Sequence, residues 1–132
     1  MAAPAARTTE RQRLGLLGED IAERHLKSLG FEILARRWRP PGAHASDIDI
    51  IARDGGELVF VEVKSRCGSG YGWPEDSVTR AKRRHILRAA FAWLDRHARP
   101  GADFRIDVIA MMVDTVSRRA SVRHFKGAVG ED

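Results

Sequence analysis

The sequence predicts one α/β domain built on a mixed sheet, with its elements in the order αβββαββ. Three observations predict it. Two long segments carry apolar residues at helical spacing, five shorter runs are rich in Val, Ile and Phe, and the second helical segment falls between strands rather than after them. A Gly-Gly pair between two of the short runs adds a hairpin signal.

Residues 1–8 begin with an alanine-rich stretch and are expected to be disordered. Thr9, with Gln12 three residues on, has the form of a capping box. Leu14, Leu17, Ile21, Ala22, Leu26 and Leu29 then recur on one helical face, and Gly30 is placed as the stop, so residues 9–29 form the first helix. "FEILARRW" follows as a strand. "RPPGAHAS" is a loop, because two prolines and a glycine forbid regular structure. "DIDIIAR" and "ELVFVEVKS" are strands separated by Asp54, Gly55 and Gly56. "RCGSGYGWPE" is a glycine-rich loop. Thr79 opens the second long helix, with Ile86, Leu87, Ala90, Phe91 and Leu94 inward and Pro100 beyond its end. "FRIDVIAMMV" and "RASVRHF" are the last two strands. The domain spans 9–126, and residues 127–132 are expected to fray.

At 132 residues and 43% hydrophobic, the chain can bury a proper core without a disulfide or structural metal. Its one cysteine, Cys67, allows no disulfide within the chain, which suits a reducing compartment. "MAAPAARTTERQR" lacks the apolar run of a signal peptide and nothing later could span a bilayer, so a cytoplasmic protein without a membrane partner is expected. The formal net charge of +5 and a pI of about 10.1 favour an anionic partner, nucleic acid above all, although ordinary solubility charge gives the same balance.

The chemistry concentrates on the hairpin. Side chains alternate faces along a strand. Val59, Val61 and Val63 share one face, and Leu58, Phe60, Glu62 and Lys64 the other; in the preceding strand Ile48, Ile50 and Ala52 make one face, and Asp47, Asp49 and Ile51 the other. A two-residue Gly55-Gly56 turn pairs Asp54 with Glu57, and counting back places Asp49 opposite Glu62 and Asp47 opposite Lys64. Directly opposed Cβ atoms lie about 4.5–5.5 Å apart. Two carboxylates that close repel, so one takes up a proton or a cation joins them. Oxygen ligands of this kind suit Mg²⁺ or Mn²⁺. Lys64 is then placed to orient or deprotonate an attacking water or to stabilise charge on a phosphate. A salt-bridge cluster, Asp47 with Lys64 and Glu62 with Arg66, is the alternative from the same residues.

Asp49, followed after one turn by Glu62-Val63-Lys64, resembles the D…(D/E)-x-K signature of restriction-endonuclease-like nucleases. "GEDIAERHLKSLG", "SDIDIIARDGGELVFVEVKSR", "AKRRHILRAAFAWL" and "RIDVI" together resemble the YraN family, small bacterial proteins similar to archaeal Holliday junction resolvases. The resemblance covers about residues 11 to 110. It implies a restriction-endonuclease-like core and a Mg²⁺-dependent endonuclease-like activity on structured or branched DNA. It makes Asp49 and Glu62 the metal ligands, Lys64 the catalytic lysine and Glu19 on the first helix a candidate further ligand. By analogy with resolvase-like nucleases it also implies a homodimer. Two departures stand out. The family usually has Gly-Glu-Ile-Asp where this chain has Ser46-Asp47-Ile48-Asp49, and the family's Asn is Arg37 here. A nucleic-acid-binding module of the same fold without turnover, and an interaction protein with an ion-pair network, are the rival readings.

Arg80, Lys82, Arg84 and Arg88 in the second helix are candidate nucleic-acid contacts. Cations near a helix N-terminus oppose the macrodipole and are better tolerated beside phosphate, although a solvated basic face would look the same. Tyr71 and Trp73 on the glycine-rich loop could stack on an unpaired base or pack as a lid. Arg36, Arg37 and Arg39 are further candidate backbone contacts. His25, His44, His85, His97 and His124 show no paired zinc-ligand spacing, so no zinc is expected. Asp107 in "RIDVI" reads as structural.

Overall fold

The computed structural model describes residues 9–42, 48–68, 80–97, 99, 101–114 and 116–127, with the Arg80 side chain excepted. Residues 1–8, Asp47, Tyr71, Trp73, Thr79, Pro100 and the tail from 128 lie outside them. The elements are α1 (Glu10–Ser28), β1 (Glu32–Trp38), β2 (Ile48–Asp54), β3 (Glu57–Cys67), α2 (Arg80–Arg96), β4 (Phe104–Asp114) and β5 (Arg119–Phe125). The predicted order αβββαββ is the observed one, and the architecture is compatible with a nuclease-like α/β core. The five strands form one sheet in the order β1-β2-β3-β4-β5. β3 and β4 run parallel, which requires the α2 crossover, and the other pairs are antiparallel. No helix among the described residues is long and apolar enough to cross a membrane.

The first helix is fixed at both ends by its own sequence. Thr9 Oγ1 accepts from the Gln12 N–H (3.1 Å) and Gln12 Oε1 accepts from the Thr9 N–H (2.8 Å), a complete capping box. At the other end Gly30 adopts φ 90°, its N–H donates to Lys27 and the Phe31 N–H donates to Leu26, each at 3.0 Å. This is the Schellman pattern, and Phe31 and Leu26 are buried together beneath it.

The sheet separates two apolar layers. On the α1 side Ala22, Leu26 and Phe31 pack with Ile50, Ala52, Val59, Val61, Ile109, Met111 and Val113. On the α2 side Ile86, Ala89, Ala90, Trp93 and Leu94 pack with Ile51, Leu58, Phe60, Ile106 and Val108. Phe91, expected inward, is 58% exposed and meets Phe104 edge-to-face. The buried stripe runs Ile86, Ala89/Ala90, Trp93/Leu94 at three- and four-residue steps, and Phe91 falls on its flank.

The Gly55-Gly56 turn pairs Asp54 with Glu57, and the register runs from there to Ile50 opposite Val61, as expected. Gly55 has φ 61°, which suits the first position of a type II′ turn. Beyond Ile50 the strands depart from simple alternation. Ile48 packs with Trp38 on the α2 side instead of sharing a face with Ile50 and Ala52. Leu34 is an extra residue in β1, because Ile33 pairs with Ala52 and Ala35 with Ile51. Arg37 in the same strand has φ 53°. A left-handed backbone costs an ordinary residue roughly 1–2 kcal/mol, and Asn tolerates it best. The Asn usual in the resembling family therefore fits this conformation, and here Arg37 adopts it.

Helix α1 approaches the sheet closely at Gly18. A Cβ built there would lie 1.9 Å from Ser65 Oγ, whereas at Gly15 it would meet nothing within 4 Å. We expect Gly18→Ala to destabilise the fold by roughly 1–3 kcal/mol in urea unfolding. Gly15→Ala should stabilise it by roughly 0.5–1 kcal/mol, because alanine relieves the helix-interior cost of glycine. Equal effects of the two changes would contradict the close approach.

Candidate functional site

The site begins where the β2–β3 ladder stops. In an uninterrupted antiparallel ladder with this turn, the bonded pair after Ile50 and Val61 is Ile48 and Val63, and the Val63 N–H would meet the Ile48 carbonyl. It instead donates to Asp49 Oδ2 at 2.7 Å. The Asp49 side chain thus takes the place of a backbone acceptor, and its carboxyl is held against β3 where Glu62 sits.

Glu62 is buried, at 3% exposure, among the charged side chains of the α2 side. Its Oε1 lies 3.2 Å from Lys64 Nζ and 3.3 Å from Lys82 Nζ. Its Oε2 is buried with no hydrogen-bond partner among the described residues. A buried acceptor left without a donor costs about 1–3 kcal/mol, and more when charged. Asp49 bears the consequence of this crowding. Burial first, and then the charge of Glu62, push its carboxyl up to about 8; the Val63 N–H and Lys82 pull it down without prevailing, and Glu19 adds to the rise. Asp49 therefore holds a proton at neutral pH in the metal-free protein.

Glu19 reaches the neighbourhood from α1 but is held elsewhere. Arg37 grips it with two bonds, Nε to Oε1 at 2.9 Å and Nη2 to Oε2 at 3.2 Å, and Arg36 Nη2 stands 3.5 Å from Oε1. Arg36 also donates to Asp20 at 2.8 Å. These two arginines, expected to meet nucleic acid, tie β1 to α1. Among the described residues no three His, Cys, Asp or Glu side chains converge on a point where they could hold a metal ion together. Among the described residues the centre therefore offers two carboxylates, Asp49 and Glu62. That is a fitting set for Mg²⁺ or Mn²⁺, which keep several waters and take few protein ligands. The partnerless Glu62 Oε2 and the proton forced onto Asp49 both mark a place where a hard cation would satisfy what the protein leaves unsatisfied.

The basic helix divides. Arg84 and Arg88, one turn apart, are exposed on α2. Lys82 turns inward to Glu62, with its side chain 25% exposed. The sequence held the signal for this. Lys82 stands four residues before Ile86 and so heads the buried stripe of the helix. Asp107 is fully buried and engaged by Arg105 Nε (3.0 Å), His124 Nε2 (2.8 Å) and the Gly127 N–H (2.9 Å). Burial would raise its carboxyl, but the bonds from His124, Arg105 and Gly127 outweigh burial and hold it low. His124 Nδ1 in turn lies 3.2 Å from His25 Nε2, a chain across the α1 side that sequence spacing does not reveal.

The raised Asp49 carboxyl gives a pH signature. Between pH 3.8 and about 8 the folded protein binds more protons at this group than the unfolded chain does. Stability contributed by this site therefore falls as pH rises through that window. Asp49→Asn removes the titration and keeps an oxygen for the Val63 N–H. The stability of the variant relative to the parent, followed by urea unfolding in chelator, should climb from pH 4 to pH 8 by roughly 2–4 kcal/mol. A difference that stays flat with pH would contradict the crowded pair.

Comparison with known proteins extends the resemblance. Residues 18–111 match the Uncharacterised protein family UPF0102, and that segment holds Glu19, Asp49, Glu62, Lys64, Lys82, Arg84 and Arg88. The chain is 47% identical over 119 residues to a UPF0102 protein of Parafrankia sp. (strain EAN1pec), covering 89% of this chain and 96% of that one. It is 43% identical over 125 residues to a UPF0102 protein of Roseiflexus castenholzii, covering 94% and 98% of the two chains. With a UPF0102 protein of Chlorobaculum tepidum the identity is 43% over 121 residues, covering 89% and 92%. The chain therefore belongs to the UPF0102 family, the YraN family whose motifs it carries.

Proposed function

We propose that this protein is a Mg²⁺- or Mn²⁺-dependent endonuclease that hydrolyses phosphodiester bonds in structured or branched DNA. The observation that carries the reading is the pair Asp49 and Glu62. Burial, with the charge of Glu62, raises the Asp49 carboxyl, and Glu62 Oε2 is left without a partner at the edge of a buried layer. Asp49 and Glu62 would hold the cation, which supplies Lewis-acid polarisation of the scissile phosphate. Asp49 is kept in place by the Val63 N–H, and Glu62 by its strand. Lys64, whose ammonium stands 3.2 Å from Glu62 Oε1, places a positive charge where the phosphate develops negative charge. In the hydrolysis, water oxygen bonds to phosphorus, the ester P–O bond breaks, and the leaving oxygen takes up a proton. Arg84 and Arg88, exposed on α2, with Arg80 at the start of that helix, supply sequence-independent contacts to the phosphate backbone.

A second reading is favoured by the two lysines on one Glu62 oxygen. In it the acids and lysines form an ion-pair network inside a nucleic-acid-binding module that does not turn over.

Cleavage of labelled duplex, flap and four-way-junction DNA with Mg²⁺, Mn²⁺ or chelator separates the two. We expect metal-dependent cleavage that Glu62→Gln abolishes and Lys64→Ala lowers by about 100-fold or more, the latter with Mn²⁺ binding retained. Binding without metal-dependent cleavage of any of these DNAs would leave the second reading in place. In the same assays the triple change Arg80→Ala, Arg84→Ala and Arg88→Ala should weaken binding to all sequences alike. It should also reduce the slope of log affinity against log salt by about 2–3. An unchanged slope would remove α2 from the interface.

A further inference from the structure

The acidic pair already has a cation, and it comes from the protein. Lys82 Nζ stands 3.3 Å from Glu62 Oε1, the oxygen that Lys64 also meets at 3.2 Å. One cation on this oxygen would suffice for a salt bridge. The second leaves Oε2 unpartnered while crowding Oε1. The two lysines are not equivalent. Lys64 is two residues from Glu62 on the same strand, and its register partner on β4 is Ala110. Lys82 reaches in from the first turn of α2 to the buried acid, so its ammonium stands where a divalent cation on Glu62 would place its charge.

Its place on the helix makes the contact conditional. A cation in the first turn opposes the helix macrodipole, so the attraction to Glu62 must offset that repulsion. Helical spacing to Ile86 turns the side chain inward, and a lysine stem is long enough to carry its head back to solvent.

Resting on the metal-site reading above, we propose that Lys82 is the resident counter-cation of the Asp49–Glu62 centre, and that a divalent cation binds by displacing its ammonium. Lys82 thus weakens metal binding in the free protein. An anionic group that draws its ammonium away from Glu62 would strengthen metal binding by the same factor as the metal strengthens binding of that group. This role differs from that of a backbone-contacting lysine on the outer face of α2, which would leave metal affinity untouched.

Calorimetric titration of the full chain with Mn²⁺ alone tests this, with melting temperature measured with and without Mn²⁺ as a second readout. Lys82→Met and Lys82→Gln remove the charge with similar stem length, and two variants guard against one that fails to fold. Lys82→Arg keeps the charge. We expect Mn²⁺ affinity to rise on the order of tenfold in the Met and Gln variants and to stay near the parent value in the Arg variant. The Mn²⁺-induced rise in melting temperature should be larger in the neutral variants than in the parent. If the parent shows no Mn²⁺ binding while the neutral variants bind, the proposal is supported in its strongest form. If the parent binds Mn²⁺ and the neutral variants bind it no more tightly, the displacement is overturned while the metal-site reading stands. If none of the four proteins binds Mn²⁺, both are overturned.

Discussion

The hydrogen bond from the Val63 N–H to Asp49 Oδ2 is the constraint on which the rest of the site depends. A ladder that continued past Ile50 would turn Asp49 into an ordinary face residue opposite Glu62 and use the Ile48 carbonyl as the acceptor. Substituting a carboxylate for that carbonyl ends the ladder and draws an acid in between the interior strands β2 and β3. The surrounding irregularities are consistent with this single substitution. Ile48 changes face to pack with Trp38, and Arg37, the penultimate residue of β1, takes a left-handed backbone. The left-handed residue is stabilised by its bidentate bond to Glu19, whose own position follows from the close approach of α1 at Gly18. Local backbone cost at Arg37 and helix packing at Gly18 thus meet in one place, beside the acid pair.

The electrostatics of the centre are the ground on which a divalent cation is proposed there. Two carboxylates stand in a part of the protein where burial already disfavours charge, and the protein answers with a proton on Asp49 and two ammonium groups on one oxygen of Glu62. Neither answer satisfies Glu62 Oε2. The Arg105 cluster at the other end of the hairpin shows what a finished ion-pair network in this fold looks like. There one guanidinium bonds Asp54 at 3.0 Å, Glu57 at 2.7 Å and Asp107 at 3.0 Å, and His124 and the Gly127 N–H complete the buried Asp107. The two ends of one hairpin thus differ: the Arg105 network satisfies its buried acid, whereas the Asp49–Glu62 centre leaves Glu62 Oε2 without a partner.

Much of the fold was legible in the sequence because local chemistry dictates it. The capping box at Thr9, the Schellman stop at Gly30 and the Gly-Gly turn each follow from residues within six positions of one another. The turn also fixed the register as far as Ile50 opposite Val61, one position short of Asp49 and Glu62. Two features were not legible, and each is a matter of tertiary fit. The face change at Ile48 comes from a side chain replacing a backbone acceptor, which alternation cannot express. The capture of Glu19 by Arg37 depends on how closely α1 meets β3, a distance set by Gly18 and Ser65. The inward turn of Lys82 was readable in principle from its four-residue step to Ile86, but the density of cations around it hid it among outward neighbours. Phe91 illustrates the converse: a large apolar residue close to the helical period lies on the rim because Trp93 and the paired alanines fill the stripe.

The central claim is that Asp49 and Glu62 form one cation site. Anomalous scattering from a crystal of the protein soaked in Mn²⁺ tests it most directly. A single strong peak is expected within ligand distance of Asp49 and of Glu62 Oε2, with Lys82 Nζ withdrawn from Glu62 Oε1. A saturating soak that shows no peak there, with both lysines still on Glu62 Oε1, would contradict it.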